Sequence, residues 1–283
     1  MSVQKNFEIE ILPNEISLED SALLKLAMHD LENPNMAARL MNRVGQSVNL
    51  AGRALPAPVT KAIAFATQKS VSMALNVALG SLRQGPVGEG KPIPGKPANR
   101  LHKSLAVASG ALGGLFGIGA LAVELPASTV LMLRSIADVA RSEGEDLKDP
   151  MAALNCLEVF ALGGRPPGAD REESGYFAIR AVLAKTVAEA ASYVAQQGVA
   201  QESAPVLVRL ITQIAARFGI VVTEKVAAQA VPIVGALGGA GINYAFMSHF
   251  QMIAKAHFTV RRLERRYGPD LVKREYERLR LEK

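Results

Sequence analysis

The chain is poor in cysteine and in aromatic residues. Its 283 residues include one cysteine, Cys156, and no tryptophan, and aromatic residues make up 5%. A single cysteine excludes an intrachain disulfide and fits a reducing compartment. Cys156 lies in an apolar helical pattern, so we expect an inert core thiol. The lack of a cysteine cluster argues against a structural zinc site, and sparse aromatic residues argue against base stacking on nucleic acid.

The amino terminus lacks the apolar run of a signal peptide. Residues 1–11 are polar and include two glutamates and a lysine. A secretory signal would need a continuous apolar segment here. We therefore predict a cytoplasmic protein, with peripheral association with the inner membrane as a further hypothesis.

Positive charge is concentrated in two segments. The formal net charge is +6, and residues 31–103 carry 10 basic and 2 acidic groups, while residues 255–283 carry 10 and 5. Such segments could contact anionic lipid or an acidic partner, although ordinary solvated helix faces look the same. Acidic residues interleave the carboxy-terminal segment, so nucleic acid is not favoured. The candidate lipid or partner contacts are Lys61, Lys69, Arg83, Lys91, Lys96, Arg261, Arg262, Arg265 and Arg266.

The sequence predicts an all-α protein. Apolar residues make up 49% of the chain and are mostly Ala, Val and Leu, and Ala and Leu favour helix. No segment shows the sustained alternation of a strand. We predict an N-terminal helical segment over residues 1–55 and one helical domain over residues 56–283. Within the latter, residues 84–100 contain four glycines and four prolines, which indicates a loop.

The pentapeptide Gly-Ala-Leu-Gly-Gly occurs twice, in residues 110–114 and 235–239. Each glycine weakens a helix by roughly 1 kcal/mol relative to alanine. Close approach of two helices could offset that loss. We therefore predict a multi-helix bundle around two central Gly-rich apolar helices that pack through Gly110, Gly114, Gly235 and Gly239.

The same two stretches are candidates for membrane insertion. Residues 104–123 form 20 uncharged residues, about the length that spans a bilayer. Five glycines and two serines lower the hydrophobicity of this stretch. The second stretch, residues 226–254, contains the polar residues Gln229 and Asn243. Spanning, peripheral insertion and burial in a bundle all stay open.

Glu124 is the most unusual local feature, because a carboxylate ends an apolar run just before Pro126. It could cap the amides of the following helix. If buried, it would have a raised pKa and could act as an acid or base. Arg134, Asp138 and Arg141 follow at helical spacing, which is typical of a solvated ion-pair ladder.

An enzyme is the main alternative to a binding protein. A hydrolase would use Glu124, Asp138 and either His249 or His257, provided that they converge on one substrate. The two histidines are eight residues apart and form no adjacent ligand pair. We find no phosphate-binding loop, dinucleotide motif or nucleophile elbow, so no cofactor and no metal is predicted. A cation site is conceivable only at the acidic cluster of Glu143, Glu145, Asp146 and Asp149.

Several motifs occur in an order that resembles the EcsC family. They are Glu124-Leu-Pro-Ala-Ser-Thr, Met132-Leu-Arg-Ser-Ile-Ala-Asp-Val-Ala, Gly144-Glu-Asp-Leu, Val159-Phe-Ala-Leu-Gly-Gly, Val231-Pro-Ile-Val-Gly-Ala-Leu-Gly-Gly-Ala-Gly-Ile-Asn and His257-Phe-Thr-Val-Arg-Arg-Leu-Glu-Arg-Arg-Tyr-Gly. The resemblance covers roughly residues 60–280. It implies a bacterial-type helical protein in the cytoplasm or at the membrane, and the founding member is encoded beside the subunits of an ABC transporter. It carries over no catalytic residue.

These observations favour a non-enzymatic helical protein at the inner membrane face that supports or regulates a transporter. Its expected partner is an anionic membrane surface or a membrane protein complex. A soluble scaffold that binds a partner helix is a third hypothesis.

Overall fold

The computed structural model describes residues 15–34, 55–83, 121–165, 175–197, 204–229 and 238–282. These residues form eight α-helices and no strand, which confirms the predicted all-α class. The helices are α1 (Leu18–Glu32), α2 (Ala57–Arg83), α3 (Leu121–Ser142), α4 (Pro150–Leu162), α5 (Tyr176–Gln197), α6 (Pro205–Gln229), α7 (Gly238–Tyr267) and α8 (Pro269–Leu281).

The short helix α4 lies at the centre of the described helices. It packs against α2, α3, α5, α6 and α7, and 11 of its 13 residues are buried. A helix that is apolar on all sides is typically a buried one. Asp149 caps its start by accepting a hydrogen bond from the Met151 amide (3.0 Å), and Pro150 occupies the first turn, where its missing N–H does no harm.

The predicted Gly-rich pair falls mostly outside the described residues. Gly110, Gly114 and Gly235 are not among them, and neither are residues 84–100. Gly239 lies in the first turn of α7. The packing of the two pentapeptides therefore stays a prediction, while α4 takes the central position in the described part of the chain.

The helix α1 is part of the same assembly as the rest. It packs on α7 and α8. Asp20 of α1 accepts hydrogen bonds from Arg266 (2.9 Å) and from the Tyr267 hydroxyl (2.8 Å). These bonds fix the N-terminal helix to the end of α7.

Four phenylalanines fill the space between α4, α6 and α7. The ring centroids of Phe160 and Phe218 are 5.0 Å apart, and those of Phe246 and Phe250 are 5.3 Å apart. Gly163, just after α4, allows this packing, because a Cβ there would lie 2.4 Å from Cε1 of Phe250.

Among the described helices, α6 alone is long and apolar enough to cross a membrane, judged by length and composition. Of its most apolar window, 39% is buried in the fold. A core helix of a soluble protein has the same properties, so this finding does not distinguish the two.

Candidate functional site

The exposed face of α2 alternates basic and apolar side chains. Lys61, Phe65, Lys69 and Met73 follow one another at intervals of four residues, and we call them the α2 stripe. Phe65 is 64% exposed and Met73 is 40% exposed. Successive positions advance by about 40° around the helix, so the α2 stripe covers about 120° of its surface.

No carboxylate of the described residues neutralises the positive charge of the α2 stripe. The helix α2 contains no acidic residue. Neither Lys61 nor Lys69 is paired with a carboxylate among the residues that the structure describes. Interfacial helices combine lysines with inserted aromatic or aliphatic side chains, and the α2 stripe contains both kinds of residue on one exposed surface.

A cleft lies where α2, α3 and α4 meet. Its volume is about 520 Å³, within the range of roughly 300–1,000 Å³ that small-molecule pockets occupy. Val77 continues the four-residue spacing of the α2 stripe and lines the cleft, so the two features adjoin. The lining combines three charged side chains with small and apolar residues, namely Arg134, Asp138, Arg141, Val77, Ala78, Gly80, Leu133, Ala137, Leu147, Ala153 and Cys156.

Charged side chains of α3 border the cleft. Arg134 and Arg141 are exposed. Arg141 donates a hydrogen bond to Asp138 (2.8 Å), whereas Arg134 makes no ion pair with any described residue. The described residues that line the cleft thus include two guanidinium groups and one carboxylate. The predicted ladder thus exists between Asp138 and Arg141, but it faces a cleft.

Cys156 forms part of the inner wall. It is 2% exposed. Burial raises the pKa of its thiol to about 12, with a further contribution from the charge of Glu145. The thiol is therefore protonated near neutral pH, as expected for a core cysteine.

Glu124 joins a second polar group, far from the cleft. It lies within α3, and its Oε1 accepts hydrogen bonds from Lys225 (2.7 Å) and Asn243 (3.0 Å). Lys225 is fully buried. Burial lowers the pKa of Lys225, and the nearby Glu124 partly offsets that effect. Glu124 thus links α3, α6 and α7 through side chains of other helices and does not precede a helix as a cap.

The predicted catalytic residues do not converge. Glu124 and Asp138 are 14 residues apart on α3, which places them about 21 Å apart along the helix axis. Groups that act on one substrate must lie within hydrogen-bond reach of it. The hydrolase hypothesis in its original form is therefore not supported by this geometry, although Glu124 and Asn243 do meet.

The two histidines hold helices together. His249 donates from Nε2 to the carbonyl oxygen of Gly163 (2.6 Å). The Tyr176 hydroxyl shares a hydrogen bond with Nδ1 of His257 (3.0 Å), and the same hydroxyl accepts a hydrogen bond from Arg180 (3.2 Å). Burial, followed by the charges of Arg180 and Arg261, lowers the pKa of His257 well below 6.5. His257 is therefore neutral.

Most of the basic residues near the end of α7 are held by carboxylates of the fold. Arg261 donates to Glu145 (2.8 Å), and Arg265 pairs with the same carboxylate. Arg262 donates to Glu143 (2.8 Å), and Arg266 pairs with Asp20 as described above. Burial raises the pKa of Glu145, but Arg261 and Arg265 together outweigh it, so the net pKa lies below 4.5. Because carboxylates partly neutralise these four arginines, we expect them to attract anionic lipid less strongly than the lysines of the α2 stripe do.

The rest of the acidic cluster also has structural partners. Asp146 accepts from the backbone amide of Lys148 (3.0 Å), and Asp149 caps α4. Within the part of the chain that the structure describes, no group of three His, Cys, Asp or Glu side chains could hold a metal ion. Of the other predicted lipid contacts, Lys91, Lys96 and the side chain of Arg83 lie outside the described residues.

Sequence reasoning missed two buried charged groups, Glu158 on α4 and Lys225 on α6. Glu158 is 4% exposed. Burial raises its pKa to about 7, against the lowering effect of Arg180 and Arg261. Glu158 is the single charge inside an apolar helical run, and that pattern was the available signal for it. Lys225 directly follows Glu224, so no such pattern marks it in the sequence.

A model of the EcsC protein family matches residues 21–263 of the chain. This confirms the resemblance up to residue 263 and extends it upstream to include most of α1, whereas residues 264–280 lie outside the match. No curated protein and no solved structure gives a match in the corresponding comparisons.

Proposed function

The chain belongs to the EcsC protein family, and we propose that it is a non-enzymatic peripheral membrane protein whose helix α2 rests on an anionic bilayer surface. The observation that carries the proposal is the α2 stripe, in which exposed Phe65 and Met73 alternate with Lys61 and Lys69, two lysines that have no carboxylate partner among the described residues. The family resemblance extends the proposal to support or regulation of a transporter at the inner membrane face.

The energetics favour α2 over the end of α7 as the contact. A lysine near an anionic surface contributes about 1 kcal/mol, and this contribution falls off within a Debye length. An inserted phenylalanine adds up to roughly 1.5–3 kcal/mol when fully buried. The arginines of α7 would first have to break their ion pairs with Glu143, Glu145 or Asp20. This cost reduces the net free energy of their binding to lipid.

Co-sedimentation of the full chain with vesicles tests the proposal. Vesicles that contain phosphatidylglycerol should bind the protein more tightly than phosphatidylcholine vesicles, and added salt should weaken the binding. Replacing both Lys61 and Lys69 with glutamine should lower the partition coefficient by about 30-fold, which corresponds to about 2 kcal/mol. Phe65→Ala should lower it by about tenfold on both vesicle types.

The helix α5 supplies matched controls. Val182 is 59% exposed, and the side chain of Lys185 is 84% exposed, with Glu189 at 3.9 Å from its ammonium group. Lys185 therefore matches the α2 lysines in exposure and differs from them in having a nearby carboxylate. Lys185→Gln and Val182→Ala should bind vesicles like the wild type. The proposal fails if the protein partitions equally to neutral and anionic vesicles without salt dependence, or if the α2 variants bind like these controls.

A further inference from the structure

The cleft between α2, α3 and α4 combines two chemistries that one ligand class shares. Its inner wall is apolar, with Val77, Leu133 and Cys156 among its residues, and guanidinium groups stand at its border. We propose that the cleft binds a single-chain anionic lipid, with the acyl chain against the apolar wall and a carboxylate headgroup at Arg134.

Of the two arginines at the border, one is paired with a described carboxylate and the other is not. Arg134 has no ion-pair partner among the described residues, whereas Arg141 is held by Asp138 at 2.8 Å. Arginine suits carboxylates because its planar donors bind both oxygens. Arg134 therefore makes the first contact with the headgroup, and Asp138 competes with the headgroup for Arg141.

A neutral long-chain molecule would contact only the apolar wall of the cleft, and a short anion would contact only the arginines. Burial of methylene groups against the apolar wall contributes favourable binding free energy. A negative charge near the arginines contributes a favourable electrostatic interaction. A volume of about 520 Å³ leaves room for more than a small anion. The combination of wall, charge and volume thus selects a long-chain amphiphile with a single negative headgroup.

This inference goes beyond contact with a bilayer surface. Binding of a dissolved fatty acid requires no membrane, and none of the cleft residues named here belongs to the α2 stripe. Failure of one proposal is therefore distinguishable from failure of the other.

Gly80 provides a variant that blocks the cleft without disturbing the fold. It lines the cleft, and a Cβ at this position would meet no atom of the described residues within 4 Å, apart from its chain neighbours and the backbone of its own helix. A leucine there would fill space that the ligand needs. Gly219 on α6 is the matched control, since a Cβ there also meets nothing within 4 Å and it does not line the cleft.

The test is titration calorimetry of the full chain with dodecanoate below its micelle concentration, with dodecanol and acetate as comparison ligands. Dodecanoate should bind the wild type and the Gly219→Leu variant equally, and its affinity should fall by at least about tenfold in the Gly80→Leu variant. Dodecanol and acetate should each bind at least about tenfold more weakly than dodecanoate. Thermal melting establishes that both glycine variants are folded.

Two charge variants give effects of opposite sign. Arg134→Gln should weaken dodecanoate binding by about tenfold, since a hydrogen bond to a charged group is lost. Asp138→Asn should strengthen it several-fold, because it removes a like charge and releases Arg141. A residue that only supports the fold would not produce tighter binding when changed.

The proposal is overturned if dodecanoate binds no better than dodecanol, or if Gly80→Leu binds like Gly219→Leu. It is equally overturned if Arg134→Gln and Asp138→Asn leave the affinity for dodecanoate unchanged. In that case the headgroup does not lie at this border.

Discussion

Replacing Glu158 with glutamine should stabilise the protein above neutral pH and have little effect in mild acid. Burial raises the pKa of this carboxyl from 4.5 to about 7. Between pH 4.5 and pH 7, the Glu158 carboxyl is therefore protonated in the folded state and ionised in the unfolded state. Stability from this group is therefore fully present below pH 4.5 and falls as the pH rises towards 7.

The size of the effect follows from the pKa difference. Each pH unit between the two pKa values corresponds to about 1.4 kcal/mol, so the ionised carboxylate costs about 3 kcal/mol of unfolding free energy near pH 8 and less than about 1 kcal/mol near pH 5. Glutamine keeps the shape and does not ionise. The variant should thus gain about 3 kcal/mol relative to the wild type near pH 8.

Urea unfolding followed by circular dichroism, at about pH 5 and about pH 8, measures this difference. Glu277→Gln is the matched control, because Glu277 is exposed and surface changes stay within about 0.5 kcal/mol. Glu264→Gln should destabilise the protein, since Arg180 loses an ionised partner at 2.6 Å. An equal effect of Glu158→Gln at both pH values would refute the raised pKa.

Three further predictions concern the core. Gly163→Ala should destabilise the protein by about 1–3 kcal/mol, because its Cβ would meet the Phe250 ring, whereas Gly219→Ala should stabilise it by about 0.5–1 kcal/mol; urea unfolding compares the two. Glu124→Leu should cost about 3–5 kcal/mol by leaving Lys225 buried without its carboxylate, and adding Lys225→Met should recover most of that loss in a double-mutant cycle. Cys156 should resist a thiol reagent such as iodoacetamide in the native protein and react once urea unfolds it, and prompt native labelling would contradict its burial.

The helical class could be predicted because it depends on local patterns. Apolar residues recur at helical spacing, and Asp149-Pro150 is a recognisable helix start. The central position of α4 was harder to predict, because glycine repeats drew the prediction towards other segments. A helix as apolar as α4, with a single internal charge, is the stronger sign of the core.

The polar groups could be predicted only as separate residues. Glu124 was identified as unusual, but its partner Lys225 is 101 residues away in sequence. Likewise, Arg261 and Glu145 are separated by 116 residues. Such pairs form through tertiary packing, and no local spacing encodes them. For that reason the basic end of α7 looked like a lipid contact, whereas the structure pairs much of its charge internally.

The position of α4 limits how far this chain can be shortened. A helix of thirteen residues is marginal in isolation, and its neighbours come from both sides along the chain, with α2 and α3 before it and α5, α6 and α7 after it. A fragment that ends before α7 would keep the contact of Phe160 with Phe218 but lose its contact with Phe250, whose ring centroid lies 5.3 Å away. Fragments produced by truncation within this assembly are therefore not expected to be soluble. A single proteolytic cleavage that leaves all helices in place should destabilise the fold less than the loss of any one helix.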